Sequence, residues 1–254
     1  MPRTIAIGDI HGMLDPLVEL VDTLRVTPED TLVFLGDLVD KGPNSAGVVR
    51  YIRTLSEEGI AKVVLVKGNH EGKHQRWRKK VADGDLKGAM EMKRGDEIQE
   101  ITSGLSQADI DFLDTATLFF CDGGYIYIHG GIPGDMETIP SDPSEIASLP
   151  GKARKKMELL TFTRFIDRKT GKMLPLGEEG KDDPFWAEAY DGRFGKAVFG
   201  HQPWKDGPRY FPNAIGIDTG AVHGFGLTAL IIEDGKESTL TILTQKFADF
   251  YSEE

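Results

Sequence analysis

Short apolar runs of strand length alternate with stretches in which apolar residues recur every three or four positions. Thr4-Ile5-Ala6-Ile7 predicts a buried strand that ends in a turn at Gly8. Leu14, Leu17, Val18, Val21 and Leu24 then fall on one helical face, with Pro16 tolerable in the first turn. Thr31 to Leu35 predicts a second strand, and Val48, Val49, Ile52 and Leu55 a second amphipathic helix with Gly59 as its stop signal. Val63 to Val66 predicts a third strand. This strand–helix–strand order indicates an α/β fold, in which ligands collect at the carboxyl ends of strands.

The second half is patterned differently. Ser106-Gln107-Ala108-Asp109 carries a capping-box start for a short helix bearing Ile110 and Leu113. Thr117 to Cys121 and Tyr125 to His129 read as a hairpin joined by Asp122-Gly123-Gly124. Ala197 to Phe199, Ala214 to Ile217, Leu227 to Ile232 and Leu240 to Leu243 predict further strands. Residues 133–195 carry no clear period and are expected to form a lid or an insert. The expected architecture is a single domain over residues 1–254, with two packed mixed β-sheets flanked by α-helices.

Composition narrows the partners. A formal charge of −11 argues against broad binding of nucleic acid or anionic membrane. No apolar stretch approaches membrane-spanning length. A first strand at Thr4 leaves no room for a removable signal peptide, so the cytoplasm is the expected compartment. Cys121, the single cysteine, rules out an intrachain disulfide and is expected to be a small buried hydrophobe on its strand.

The chemistry lies where apolar runs end. Gly8-Asp9-Ile10-His11-Gly12, Gly36-Asp37-Leu38-Val39-Asp40-Lys41-Gly42, Gly68-Asn69-His70-Glu71, His129-Gly130-Gly131 and Gly200-His201 follow such runs in order. Asp9 and His11 can point at one ion, Asp37 can bridge two through its two oxygens, and Asn69, His129 and His201 can complete the ligand set of the second ion. Mixed imidazole and carboxylate donors suit manganese, iron or zinc; manganese is the first expectation. Two such ions roughly 3.5–4 Å apart can clamp an in-line displacement at phosphorus around a bridging hydroxide. His70 would protonate the leaving oxygen, Asp40 would orient its imidazole, and Lys41 would hold a phosphate oxygen. Singly, each of these is more often a turn residue or a satisfied polar side chain. Four of the six histidines in Gly-flanked positions after strands reverse that judgement.

The five elements resemble those of the phosphoprotein-phosphatase family of calcineurin-like metallophosphoesterases. The resemblance implies a dinuclear centre in a β-sandwich flanked by helices. It assigns Asp9, His11 and Asp37 to one metal, and Asp37, Asn69, His129 and His201 to the other. It also implies His70 as general acid supported by Asp40, and Asn69 and Lys41 as phosphate contacts. Lys41 stands where the family normally has arginine; it keeps the charge and loses the bidentate fork. Lysine there looks like the branch similar to the symmetrical diadenosine tetraphosphatases. The family's second arginine, between His-Gly-Gly and Gly-His, is assigned to Arg164, with Arg168 and Arg193 as alternatives. Ile217-Asp218-Thr219-Gly220 replaces the eukaryotic Ser-Ala-Pro-Asn-Tyr signature and looks like the bacterial type.

The expected activity is therefore metal-dependent phosphate hydrolysis. Phosphomonoesters, such as phosphoserine or phosphothreonine in a phosphoprotein, are the first substrate class. Nucleoside polyphosphates such as diadenosine tetraphosphate are the second. A non-catalytic binding module retaining the fold is the third reading, opposed by the intact ligand set. Lys73, Arg76, Arg78, Lys79 and Lys80 are read as a solvated helix face rather than a polyphosphate site. Phe185, Trp186, Phe194 and Trp204 are read as packing residues rather than a base-stacking surface. His74 and His223 are expected at the surface or behind the site.

Overall fold

Along the first strand Ile5 and Ile7 face one way and Ala6 the other, and that alternation sets the layers of the molecule. A computed structural model describes residues 2–247. In chain order its first half runs β1 (Thr4–Ile7), α1 (Leu14–Leu24), β2 (Thr31–Phe34), α2 (Ser45–Glu57) and β3 (Lys62–Leu65). Four helices follow: α3 (Asn69–Ala82), α4 (Leu86–Met90), α5 (Gly95–Ser103) and α6 (Gln107–Leu113). The second half holds β4 (Phe119–Asp122), β5 (Tyr125–Ile128), α7 (Gly151–Met157), β6 (Phe165–Ile166), β7 (Met173–Leu174) and α8 (Trp186–Ala189). It closes with β8 (Lys196–Phe199), β9 (Arg209–Phe211), β10 (Ala214–Gly216), β11 (Leu227–Glu233) and β12 (Lys236–Ile242).

The strands make two five-stranded mixed sheets, ordered β12-β11-β1-β2-β3 and β4-β5-β8-β10-β9, with β6 and β7 forming a separate pair. Each large sheet has three adjacent parallel strands, β1, β2 and β3 in the first and β5, β8 and β10 in the second. Between the sheets lie Ala6, Val33, Leu35 and Leu230 from one and Tyr127, Val198 and Ile215 from the other. The outer face of the first sheet, Ile5, Ile7, Leu32 and Phe34, is covered by Leu17, Leu20, Val21 and Leu24 of α1 and by Val48, Val49 and Ile52 of α2. Full burial of each such side chain contributes about 1.5–3 kcal/mol. The outer face of the second sheet packs Phe119, Ile126, Ile128 and Phe199 against Met136, Met157, Leu160 and Trp186. Residues 133–195 thus supply the outer layer of the second sheet.

Several expectations hold in detail. Ser106 and Asp109 form the reciprocal cap of α6. Gly123 and Gly124 turn the β4–β5 hairpin with φ of 56° and 85°, a left-handed pair that a tight two-residue turn requires. Cys121 does not hold: it is exposed. β4 is an edge strand, and Cys121 sits at its hairpin end, beyond the packed part of the core. No helix among the described residues is long and apolar enough to cross a membrane.

Candidate metal centre

Six parallel strands point their carboxyl ends at one place, and each delivers a polar residue just beyond its last paired position. The first sheet brings Asp9 after β1, Asp37 after β2 and Asn69 after β3; the second brings His129 after β5, His201 after β8 and Asp218 after β10. Together with His11, Lys41, His70 and Arg164, all of these but the buried His129 line one cleft of about 280 Å³. Reaching it demands an unusual backbone. Of the eight non-glycine residues at positive φ among those described, five belong to these loops: His11, Asp37, Asp40, Lys41 and His201. Strain of this kind concentrates at functional sites, held in place by the surrounding structure.

Hydrogen bonds between loops supply that restraint. The His11 amide donates to the Asp37 carbonyl at 2.8 Å, and the Gly12 amide to the Leu38 carbonyl at 2.9 Å. Glu71 then ties the second loop to the third. Its Oε2 accepts from the amides of Asp37 (2.8 Å) and Gly68 (2.9 Å), and its Oε1 from the amide of Leu38 (2.8 Å). Gly68 permits this approach, because a Cβ there would lie 2.2 Å from Asp37 Oδ1. Across the cleft, the His201 amide donates to both Asp9 oxygens at 3.1 Å.

Asp37 occupies the middle. Its Oδ2 lies 3.5 Å from His11 Nε2, and its Oδ1 lies 3.4 Å from His129 Nε2. The donor atoms of Asp37, His129 and His201 fall within 4.8 Å of one another, as do those of His11, Asp37 and His70. Asn69 Oδ1 is 2.9 Å from His129 Nε2. Two histidines are oriented from behind: His11 Nδ1 donates to the Val39 carbonyl at 2.9 Å, and His129 Nδ1 to the Leu35 carbonyl at 2.7 Å. That leaves each Nε2 turned toward the Asp37 carboxylate, away from the backbone contact, as a metal-ligating imidazole requires.

The electrostatics fit a cation. Burial, then the charges of Asp218 and Asp37, push the Asp9 carboxyl well above the usual carboxylate range. Burial raises Asp218 to about 6. Burial alone would strip His129 of its proton, yet the Asp37 and Asp9 carboxylates override it and raise His129 to about 10. Burial, then the charge of Lys41 for His11 and of Arg164 for His201, lowers both imidazoles well below their ordinary value and keeps them neutral. Buried carboxylates that demand positive charge, beside neutral imidazoles and no thiolate, make a suitable donor set for divalent first-row metals.

Residues 2–230 match the family model described as calcineurin-like phosphoesterase. The chain belongs to that family. An asymmetrical bis(5'-nucleosyl)-tetraphosphatase PrpE of Bacillus velezensis is 32% identical over 237 residues, covering 87% of this chain and 86% of that protein. A symmetrical bis(5'-nucleosyl)-tetraphosphatase of Pseudomonas fluorescens is 27% identical over 273 residues, covering 92% of each. The crystal structure of a candidate diadenosine tetraphosphatase superposes with a TM-score of 0.68 at 25% identity, covering 94% of this chain and 93% of that one. A serine/threonine phosphatase from Saccharomyces cerevisiae shares the fold at 16% identity, with a TM-score of 0.64 over 97% of this chain and 81% of that one.

Within this phosphoesterase, every residue expected at the centre from sequence lies at or directly behind the cleft. Arg164 lines it and donates to the His201 carbonyl at 3.0 Å. Arg168 and Arg193 do not line it, and Arg193 pairs with Asp191. The basic cluster after Glu71 lies on α3, where Arg78, Lys79 and Lys80 pair with Asp114, Asp83 and Asp85. Phe185 and Trp186 are buried in the second sheet's outer core, with Phe194 and Trp204 packed against it. His74 and His223 are both buried, so a surface location is wrong for each; His223 lines the cleft and His74 lies behind Asp40. Glu71 and Asp218 had no assigned role. Glu71 was visible as the last residue of its motif, and Asp218 as an acid placed after a strand like Asp9 and Asp37.

Proposed function

We propose that the protein is a dinuclear metal-dependent hydrolase of nucleoside polyphosphates, of the bis(5'-nucleosyl) tetraphosphate class, built as one domain with residues 133–195 forming one wall of the cleft. The observation that carries the metal chemistry is Asp37, whose two oxygens face His11 on one side and His129 on the other. Asp9, His11 and Asp37 would hold one ion, and Asp37, Asn69, His129 and His201 the second, with manganese the first expectation and iron or zinc the alternatives. Such ions supply a lowered water pKa and positive charge at the phosphoryl oxygens.

The chain's own groups do the rest. Lys41 and Arg164 line the cleft and attract the phosphate oxygens, with Asn69 beside them. His70 is half-buried at the cleft, with Nδ1 2.5 Å from Asp40 Oδ2. Burial works against ionisation of Asp40, but hydrogen bonds from His70 and His74 outweigh it and hold the carboxyl well below its usual range. An ionised Asp40 keeps a proton on His70 Nδ1 and turns Nε2 toward the leaving oxygen, which it can protonate.

Two observations favour polyphosphates over phosphoproteins as substrates. The tetraphosphatase relatives cover most of this chain at 27–32% identity, whereas the protein phosphatase shares only the fold. Two cationic side chains on one cleft also suit a chain of several phosphates. Metal-stripped protein reloaded with manganese should cleave diadenosine tetraphosphate with a kcat/KM at least about tenfold above that for a phosphopeptide or an aryl phosphate. Two ADP would identify symmetrical cleavage, and ATP with AMP asymmetrical cleavage. Faster turnover of the phosphopeptide would overturn this order and return the protein to the phosphomonoesterases.

A further inference from the structure

His74 is 1% exposed and takes no part in lining the cleft. Its Nε2 lies 2.7 Å from Asp40 Oδ1, while His70 Nδ1 lies 2.5 Å from Asp40 Oδ2. Asp40 therefore accepts from two imidazoles, one at each oxygen. Both histidines stand on α3, one turn apart, which is the spacing that brings side chains together on a helix face. Asp40 is itself held at the other end, its amide donating to Ser45 Oγ at 3.0 Å.

The other ring nitrogen of His74 makes no hydrogen bond in this structure. An ionised carboxylate only accepts, so Nε2 carries the hydrogen and Nδ1 a buried, unmet lone pair. Leucine or methionine would fill this position without leaving a polar atom unsatisfied, which costs about 1–3 kcal/mol. The donor at Nε2 is what the apolar alternatives lack, and its one acceptor is Asp40. Without it, Asp40 keeps a single imidazole partner, and its carboxylate torsion is broad and roughly two-fold.

We infer that His74 is a positioning residue: by occupying the second oxygen of Asp40, it fixes the carboxylate plane and through it the rotation of the His70 imidazole. The inference rests on the proposed reading of His70 as proton donor. As a water-derived oxygen forms its bond to phosphorus and the phosphorus–oxygen bond to the leaving group breaks, the electron pair of the broken bond stays with the leaving oxygen, which takes the proton from His70 Nε2. A loosely aimed imidazole slows this step most for oxygens that most need the proton.

The test uses manganese-loaded protein with 4-nitrophenyl phosphate, a good leaving group, and phenyl phosphate, a poor one. His74→Met removes the donor, His74→Gln keeps an N–H at similar reach, and His70→Asn removes the proposed acid. His74→Met should lower kcat on phenyl phosphate about tenfold, with a clearly smaller loss on the nitrophenyl ester. KM and metal content should stay near wild type, and His74→Gln should recover most of the rate. Equal losses on both esters, or a glutamine variant as slow as methionine, would reduce His74 to a packing role. Equal losses in His70→Asn would remove the proton-donor reading and this inference together. A larger loss on phenyl phosphate than on the nitrophenyl ester in His70→Asn, beside equal losses in His74→Met, would remove only the inference. A readout independent of turnover is the NMR resonance of the His70 Nδ1 proton. It should move in His74→Met and return in His74→Gln; an unmoved resonance overturns the proposal.

Discussion

In the first sheet each parallel strand passes through a short loop into a helix, whereas in the second β5 and β8 are separated by the whole of residues 129–195. Both sheets end their parallel strands at the same cleft, but with different chemistry. The first contributes two buried carboxylates and an amide, on loops bonded to one another and to Glu71. The second contributes two imidazoles and Asp218, linked to the first mainly through Asp9 and Leu35. Restraint is therefore concentrated on one side. The site behaves as a braced carboxylate floor facing a less tied wall that carries His129, His201 and Asp218, and the two sides should respond differently to substitution.

Asp37→Asn should give the largest effect, because one side chain faces ligands from both sheets. We expect metal affinity to fall by more than about 100-fold for both ions, measured by metal content after equilibrium dialysis. His201→Ala should instead deplete one ion and leave the other. Equal depletion of both ions in the His201 variant would erase the distinction between the sheets.

Glu71→Gln comes next. It keeps the size of the side chain but removes the charge and one acceptor from a group that receives three backbone amides. Metal affinity should drop about 10–100-fold with every proposed ligand still present. An unchanged affinity would mean that the strained Asp37 loop holds itself.

The smallest effect lies far from the cleft, at the amino-terminal end of β2. Burial opposes ionisation of Asp30, but hydrogen bonds from Arg3 and from the Thr27 and Arg3 amides outweigh it and lower the carboxyl from 3.8 to about 2. A depressed folded-state pKa stabilises the fold fully above about pH 4, and that contribution is lost as pH falls through about 2. Asp30→Asn should cost about 2 kcal/mol at neutral pH and less below pH 3, with the metal centre intact. Denaturant titrations at pH 7 and pH 3 would show whether the loss shrinks with acid as this sign requires.

Much of the first sheet was legible because its information is local. Apolar periods marked β1, α1, β2, α2 and β3, and the turn residues after those strands carried Asp9, His11, Asp37, Asp40, Lys41, Asn69 and His70. The second sheet was harder to read. β9 escaped notice because Arg209-Tyr210-Phe211 is an exposed edge strand with no apolar alternation. Residues 133–195 form only short elements whose apolar residues are spaced by packing against β5 and β8 rather than by a helical or strand period. Cys121 went the wrong way for the same reason: an apolar run shows that a strand exists, not where its covering layer stops.

By itself, the amino-acid sequence determined the strand–helix alternation of the first half and the identities and order of the metal-type residues, because both depend on neighbours a few positions apart. Only the tertiary structure decided that the two three-stranded parallel sets share one cleft and that Arg164, rather than Arg168 or Arg193, faces it. It also decided that Glu71 and His74 serve residues more than thirty positions away. Those relations are contacts between distant segments, and a buried carboxylate or imidazole takes its role from the groups that packing brings within about 3 Å.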